Sequence, residues 1–265
     1  MSFRPRRALA VFWKDFLDLR KNRGLLGSMA VIPCVMVLVP TLMVWAYVRN
    51  PDDPSLRVMA RYYEVSVQSA DAARFLIDKS LTDWFGLFLI MPLFIPILIS
   101  SSSVAGEKER RTLEPLLASP ATSLEIVVGK SLAALLPAVL VSFAAFVLFC
   151  ISVDVVAWKL VRGPLLPNGM WIFGVVVIAP LFAFLGNGVA ILISARVGDS
   201  RLAQQLSGLV SLPILGMVGS QVAGVLRAGA GYYAIVGAVV LLLDLLLLRA
   251  TIRLFDRERL ISRWS

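Results

Sequence analysis

The sequence has no histidine, only two cysteines and little charge. Without histidine it lacks the commonest general base and the commonest metal ligand, and it shows no metal-binding motif. Cys34 and Cys150 lie in separate apolar blocks, toward opposite sides of the topology given below, and predict buried core thiols rather than a disulfide. Charged residues make up 16% of the 265 residues and apolar residues 58%. Soluble domains are about 45–50% apolar, so one soluble core cannot bury this excess.

The apolar residues fall in six blocks, each long enough to cross about 30 Å of hydrocarbon at about 1.5 Å per residue. The mean hydropathy is +0.83, and we see no internal repeat and no soluble domain. The sequence therefore predicts an all-α, polytopic membrane protein that forms a single transmembrane domain over residues 1–265. The six predicted transmembrane helices are 25–48, 84–104, 126–153, 171–194, 205–226 and 231–248.

The distribution of the 26 lysines and arginines predicts the orientation. With the N-terminus inside, 18 of them fall in the inner segments 1–24, 105–130, 195–204 and 249–265, and 8 fall in the outer segments 49–83, 154–170 and 227–230. This bias predicts a multi-pass protein of the cell (inner) membrane with both termini in the cytoplasm. The net charge of +9 then fits contact with anionic lipid. Binding to nucleic acid is not expected, because it would need a basic face on a soluble domain.

Residues 1–24 predict an amphipathic helix lying in the membrane interface. Its apolar residues recur at helical spacing: Leu9, Phe12, Trp13 and Phe16. Its charged residues occupy the other faces of the helix: Lys14, Asp15, Asp18 and Lys21. The alternative is an ordinary charged leader that happens to be amphipathic.

Proline and small residues interrupt the predicted spans. Proline occurs in each of the first five, at positions 33, 40, 92, 96, 137, 180 and 213, which indicates either packing kinks or hinges. Gly216, Ser220 and Gly224 are spaced by four, with Ala228 just beyond. Such a stripe lets another helix approach closely, either within the chain or in a second copy.

Asp244 is the only acid deep in a predicted span. An ionised side chain there costs roughly 2.5–3.5 kcal/mol on insertion, so we expect it to face protein or water. It is either a cation or proton site in a pathway, or a structural residue paired with a group such as Arg249. Asn187 and Gln221 are weaker candidates for such an intramembrane polar site, and we interpret them as interhelical hydrogen bonds.

The most informative stretch is the 105–130 segment, between the second and third predicted spans. Glu107 and Arg111 have the favourable order and spacing for a helical ion pair. A short apolar face follows, made of Leu113, Leu116 and Leu117. Ser119 and Pro120 then break the chain, and Ser123 is placed to cap the next helix. A short amphipathic helix held between two spans can transmit force, because pushing it moves both.

The run GEKERRTLEPLL over 106–117, followed by Ser119-Pro120 and then by Glu125, Gly129 and Lys130, resembles type-2 ATP-binding-cassette (ABC) transporter permeases. The branch it resembles is the sodium- and drug-efflux-like one. The layout is also similar: an amphipathic N-terminal helix, six spans and this segment between spans two and three. Many relatives carry Gly where this chain has Arg111, a change expected to preserve helix.

The resemblance implies that the segment is a coupling helix that docks into a cytoplasmic ABC ATPase. Polar contacts would come from Glu107, Glu109, Arg110 and Arg111, apolar contacts from the three leucines, and Thr112 and Glu114 belong to the same segment. It further implies a homodimer or heterodimer of permeases, with ATP and Mg²⁺ on the ATPase, and export as the direction. In related exporters the second and fifth spans border the pathway. The aromatic residues Trp84, Phe85, Phe88 and Phe94 are thus either a pathway wall or an interfacial belt with lipid-facing phenylalanines. The alternative to a docking helix is a solvated charged loop.

Gly129-Lys130-Ser131 matches the end of a phosphate-binding P-loop, but the first glycine of that motif would fall on Leu124. A P-loop also follows a strand, whereas this triplet opens a predicted span, where Lys130 can reach toward lipid headgroups. The chain is therefore not expected to hydrolyse ATP. A membrane enzyme or a non-transporting scaffold are the competing functions. No nucleophile setting or acid pair supports the enzyme.

Overall fold

The computed structural model describes residues 3–50, 57–58, 60–61, 70–109, 111, 119–161, 163–222 and 229–254, and these residues form helices and no strand. The helices are α1 (Pro5–Lys21), α2 (Arg23–Arg49), α3 (Ala70–Phe88), α4 (Ile90–Glu109), α5 (Ser123–Val161), α6 (Gly169–Phe173), α7 (Ala179–Ser194), α8 (Ser200–Gly208), α9 (Leu212–Val222) and α10 (Ala230–Leu254). A π-helical turn, Gly174–Ile178, joins α6 to α7, and a 3₁₀ turn, Leu209–Ser211, joins α8 to α9.

Six segments of the described chain are long and apolar enough to cross a membrane, which confirms the all-helical six-span prediction. They are Arg23–Arg49, Arg74–Glu109, Ser123–Trp158, Gly169–Ser194, Ser200–Gln221 and Gly231–Thr251. The second segment begins well before the predicted position 84. Its first turns mix charged residues with Leu76, Ile77 and Leu81, which are buried against the rest of the bundle. An average over hydropathy does not detect such an amphipathic start.

Helix interruptions in the bundle lie next to prolines. Between α3 and α4 the break falls at Leu89, three residues before Pro92. The π-helical turn ends two residues before Pro180, and the 3₁₀ turn ends two residues before Pro213. Proline lacks the N–H that would continue the helical ladder, and its ring clashes with the carbonyl four residues earlier. These three prolines therefore mark changes of helical geometry rather than simple kinks.

The second span is the most enclosed part of the bundle. In the most apolar 18-residue stretch of this span, 67% is buried inside the chain, against 22% for the corresponding stretch of the first span and 17% for that of the last span. Its closest neighbour is α7, where Gly186 lies so near α4 that an added Cβ would stand 2.2 Å from the backbone oxygen of Leu93. The helices α4, α5 and α7 therefore form the centre, whereas α2 and α10 present apolar side chains outward.

The aromatic residues at the start of the second span lie in the core. Phe85 and Phe88 are buried, and their ring centroids lie 4.9 and 5.3 Å from the ring centroid of Trp171. Phe149 and Tyr233 complete the cluster, at 5.0 Å from Trp171 and 4.5 Å from Phe85. The alternative that Phe85 and Phe88 face lipid was therefore wrong. Hydropathy does not distinguish a lipid-facing ring from a protein-facing one, because both environments are apolar.

The two cysteines differ in environment. Both are free thiols, as expected, and Cys150 is buried. Cys34 is exposed on the outward side of α2, so its assignment to the core was wrong.

Of the small-residue stripe, Gly216 and Ser220 belong to α9, whereas Gly224 and Ala228 lie outside the described residues. Gly216 is exposed, and no atom lies within 4 Å of an added Cβ. Ser220 donates a hydrogen bond to the carbonyl of Met217 in its own helix. Within the described chain, nothing packs closely on Gly216.

Substituting Gly186→Ala tests the close approach of α7 to α4. The new methyl group would meet the Leu93 carbonyl, and such overpacking should cost about 1–3 kcal/mol. We expect a lower unfolding temperature for the detergent-purified protein, measured by circular dichroism. Gly216→Ala is the matched control, because nothing occupies that space. Equal unfolding temperatures for the two variants would contradict the packing described.

Candidate functional site

Polar and charged contacts concentrate at one end of the bundle, where α4 ends and α5 begins. We call it the basal end; it also contains α1 and the connection between α7 and α8. Here the structure describes both ends of the 105–130 segment. Six of the predicted ATPase-docking residues lie outside the described residues, and their docking role stays a prediction: Arg110, Thr112, Leu113, Glu114, Leu116 and Leu117.

A buried group of charges joins three helices at the basal end. Lys130 of α5 lies 3.1 Å from the carboxylate of Asp15 in α1 and 2.9 Å from that of Glu107 in α4. Lys14 pairs with Glu107 and lies 3.4 Å from Asp15. The Ser103 hydroxyl donates to Asp15 at 2.5 Å and accepts from Lys130 at 2.9 Å. We call these five residues the basal ionic cluster.

The charges of the basal ionic cluster balance. The side chain of Lys130 is only 2% exposed, and a buried ion without a partner would cost several kcal/mol. Two lysines facing two carboxylates remove that penalty. Burial lowers the pKa of Lys14, but the hydrogen bond and charge of Glu107, aided by Asp15, outweigh it and raise the pKa. Lys14 therefore stays protonated at neutral pH.

One interpretation from the sequence was wrong at this cluster: Lys130 is buried and does not reach toward headgroups. Asp15, which the sequence places on a charged face of the N-terminal helix, is buried beside it. The cause is the packing of α1 on α5: a Cβ on Gly129 would stand 2.5 Å from the backbone oxygen of Ala8. Because the two helices approach so closely, Lys130 of α5 and Asp15 of α1 are buried side by side although they are remote in sequence.

The turn at Arg111 ends α4. Helix α4 stops at Glu109, and the Arg111 amide donates to the Lys108 carbonyl at 3.1 Å. Arg111 has a φ of 55°, in the left-handed region that favours glycine. The expectation that arginine here preserves a helix, and pairs with Glu107 at helical spacing, was therefore wrong. A glycine, the residue that the sequence resemblance predicts here, would fit this backbone conformation.

The other end of the segment is fixed by a capping box at the start of α5. The Glu125 amide donates to the Thr122 hydroxyl at 3.3 Å, and the Thr122 amide donates to the Glu125 carboxylate at 2.7 Å. This reciprocal arrangement satisfies two amides at the helix start. The sequence had suggested Ser123 as the cap, but the cap is Thr122. The reason is that Glu125 lies at the spacing from Thr122 that the capping box requires.

Helix α1 also holds this second end. The Arg4 amide donates to Glu125 at 2.7 Å, and the Arg7 guanidinium lies 4.0 Å from the same carboxylate. Arg7 also donates to the backbone oxygen of Pro120. Glu125 is fully buried beneath these contacts. Helix α1 therefore contacts both ends of the 105–130 segment, through Arg4 and Arg7 at one end and through the basal ionic cluster at the other.

The connection between α7 and α8 is joined to the first end of the segment. Glu109 accepts a hydrogen bond from the Ser200 amide at 2.6 Å, at the start of α8. Lys108 donates to the backbone oxygen of Ala195. Asp199 caps α8 by accepting from the Leu202 amide at 2.9 Å. The last turn of α4 is thereby linked to the end of the fourth span and the start of the fifth.

The triplet that matches a P-loop ending has structural contacts at each position. Gly129 contacts α1, Lys130 belongs to the basal ionic cluster, and the Ser131 hydroxyl accepts from the side-chain amide of Asn187 at 2.9 Å. All three lie inside α5 rather than in a glycine-rich turn. The triplet does not form a phosphate cradle.

The intramembrane polar residues fall into two classes. Asn187 joins three helices, accepting from Ser100 at 2.7 Å and donating to Ser131. Gln221 donates to the Tyr233 hydroxyl at 3.3 Å. For Asp244, by contrast, both carboxylate oxygens are buried without a hydrogen bond within the described part of the chain. The side chain of Arg249 is exposed, and no ion pair joins it to Asp244.

The structure thus defines a class: a helical membrane protein of six spans whose second and third spans are joined by a segment anchored at both ends. A family model described as "ABC-2 family transporter protein" matches residues 9–253. The chain belongs to this family and is a permease component of an ABC transporter. No match was found among curated proteins.

Substituting Lys130→Met tests the basal ionic cluster. It leaves Asp15 and Glu107 buried with a single cation, which should cost about 3–5 kcal/mol. We expect a large fall in unfolding temperature, or loss of folded protein. The matched control is Lys21→Met, since Lys21 is exposed on α1. Adding Asp15→Asn to Lys130→Met should restore part of the loss; no restoration would contradict the pairing.

Substituting Arg111→Gly tests the left-handed turn. Glycine adopts this conformation without the roughly 1–2 kcal/mol that a Cβ costs, so we expect it to be more stable than Arg111→Ala by about 1 kcal/mol. Both variants remove the arginine side chain, so the comparison isolates the backbone. Thermal unfolding of the two purified proteins measures it. An alanine variant as stable as the glycine variant would show that the turn is not left-handed.

Proposed function

We propose that this chain is the membrane-spanning permease subunit of an ATP-driven exporter, driven by a separate ABC ATPase that docks on the 105–130 segment. Family membership supports the permease role. The observation that supports the coupling role is that hydrogen bonds and ion pairs join both ends of the segment to other helices. A solvated loop without a partner would not need such contacts at each end.

The proposed coupling passes through the described contacts. A force on the segment moves the last turn of α4 and the first turn of α5. Because the basal ionic cluster and Glu125 join both of these to α1, the three helices move together. Glu109 and Lys108 carry the displacement onward to the 195–200 connection. The direction of the bias comes from different ATPase contacts in its nucleotide-bound and nucleotide-free states.

The docking surface of the proposal is centred on the apolar side chains Leu113, Leu116 and Leu117. The polar contacts come from Glu109, Arg110 and Arg111, with Thr112 and Glu114 in the same segment. Glu107 has a different part in the revised proposal. It is buried in the basal ionic cluster, and it therefore positions the docking segment rather than contacting the ATPase.

In the proposed orientation the basal end and both termini face the cytoplasm, and the protein lies in the cell (inner) membrane. The excess of lysine and arginine at that end supports this. The outer edge of α1 exposes Leu9, Trp13 and Leu17, an apolar edge suited to the inner leaflet beside the charged face. ATP and Mg²⁺ would be bound by the ATPase and not by this chain.

Two permeases, identical or related, would sit over two ATPase subunits in the complete transporter. The outward apolar faces of α2 and α10, and the uncovered Gly216 of α9, support a contact with a second permease. These surfaces are otherwise covered by lipid.

Co-purification tests the coupling role. We would isolate the chain from its native membranes in mild detergent and identify accompanying proteins by mass spectrometry. Wild type should retain an ATPase that carries a P-loop. Leu113→Asp and Leu116→Asp should lose it at least tenfold, because each places a charge in an apolar contact.

The matched control is Val58→Asp, which adds the same charge to an exposed apolar position in the proposed outer loop. It should retain the ATPase. A wild-type protein that is folded, abundant and free of any ATPase would overturn the proposal. So would docking variants that retain the ATPase as well as the control does.

A further inference from the structure

Asp244 lies on the side of α10 that packs against α7. Seven residues earlier on the same side, an added Cβ at Gly237 would stand 3.7 Å from Ile178 and 3.9 Å from Leu181. Three residues later, Leu247 stands 3.2 Å from an added Cβ at Gly188. Positions seven apart lie on nearly the same face of a helix. Asp244 therefore sits between two points of close helix contact, in the middle of the α7–α10 interface.

Nothing described around Asp244 balances a negative charge. The sequences of α7 and of the π-helical turn contain no charged residue. On α10, Arg249 is exposed and makes no ion pair with Asp244, and the side chain of Arg253 lies outside the described residues. Helix α5, which contacts α10 less extensively, carries four charged residues. Glu125 and Lys130 are engaged at the basal end, and Asp154 accepts hydrogen bonds from the Leu165 and Leu166 amides. The side chain of the fourth, Lys159, lies outside the described residues.

An ionised carboxylate in that interface would be a bare charge in hydrocarbon. Both of its oxygens are shielded from solvent and accept no hydrogen bond in the described chain. Burying an unpaired charge is so costly that such a group takes up a proton instead. A metal ion would need several further oxygen ligands. No group of three or more metal-ligating side chains occurs among the described residues.

We propose that Asp244 is a proton-binding site inside the membrane domain, and that the neutral acid is the form that packs between α7 and α10. Loss of the proton would place a charge between two helices that offer it no partner. The proton therefore stabilises the closed α7–α10 contact, and it leaves when the helices separate enough to admit water. This inference does not depend on the ATPase or on the direction of transport.

A hydrophobic carbodiimide tests this site, because it enters lipid and reacts with protonated carboxyl groups. The carboxyl proton passes to a carbodiimide nitrogen and the carboxylate oxygen adds to the central carbon. The acyl group then migrates to nitrogen, giving a stable N-acylurea without any leaving group. We would treat full-length protein in membrane vesicles with dicyclohexylcarbodiimide and map the adduct by peptide mass spectrometry. The expected result is an adduct at Asp244 and none at that position in Asp244→Asn.

A water-soluble carbodiimide serves as the comparison. It should label the exposed Asp18 of α1 and leave Asp244 at least tenfold less modified. Equal labelling of Asp244 by the water-soluble reagent would overturn the proposal, because it would place the carboxylate in water. Absence of the dicyclohexylcarbodiimide adduct throughout about pH 5 to pH 9 would also overturn it, provided the protein is folded.

A second measurement tests whether Asp244 is instead ionised and paired with a group from another chain. Asparagine has the shape of the neutral acid, so Asp244→Asn should keep the wild-type unfolding temperature and the wild-type oligomeric size in detergent. A variant that unfolds earlier, or that separates into smaller species, would show that the carboxylate is ionised and paired across an interface. That outcome would overturn the assignment of a proton site.

Discussion

Charge neutralisation at Lys130 is the constraint on which the basal end of this protein depends. A lysine opening a membrane helix can reach toward lipid headgroups, but here α1 covers it. Once covered, it needs carboxylates, and Asp15 and Glu107 supply them from α1 and α4. The same pairing brings the amphipathic N-terminal helix against the start of the third span. It thereby sets where the connection between spans two and three leaves and re-enters the membrane domain.

The contacts at this end connect a short segment to several helices of the bundle. Its two ends share α1, and its first end is also bonded to the connection between spans four and five. Membership of the ABC-2 family makes the chain a permease component. In the function we propose, these contacts carry the movement of a docked ATPase into four of the six spans.

Burying a polar side chain within the membrane region costs free energy, and Asn187 and Asp244 reduce that cost in different ways. Asn187 satisfies its amide with Ser100 and Ser131, so it holds three helices together without any charge. Asp244 has no such donors among the residues that the structure describes, and we infer that a proton replaces them. The first arrangement is permanent as long as the helices stay packed. The second can be reversed when the surrounding helices move, which makes the α7–α10 contact the more changeable of the two.

The sequence by itself determined the six spans and the family resemblance of the 105–130 segment. These features are local, because each depends on residues within one span or one short motif. Only the tertiary structure decided that Lys130, Asp15 and Glu107 form one cluster, that Phe85 and Phe88 face protein, and that Cys34 does not. Those outcomes join residues as far apart as 15 and 130, and hydropathy cannot tell a face covered by lipid from one covered by another helix. The turn at Arg111 was missed for a related reason, since helix propensity gives no account of the backbone conformation that the anchored ends impose.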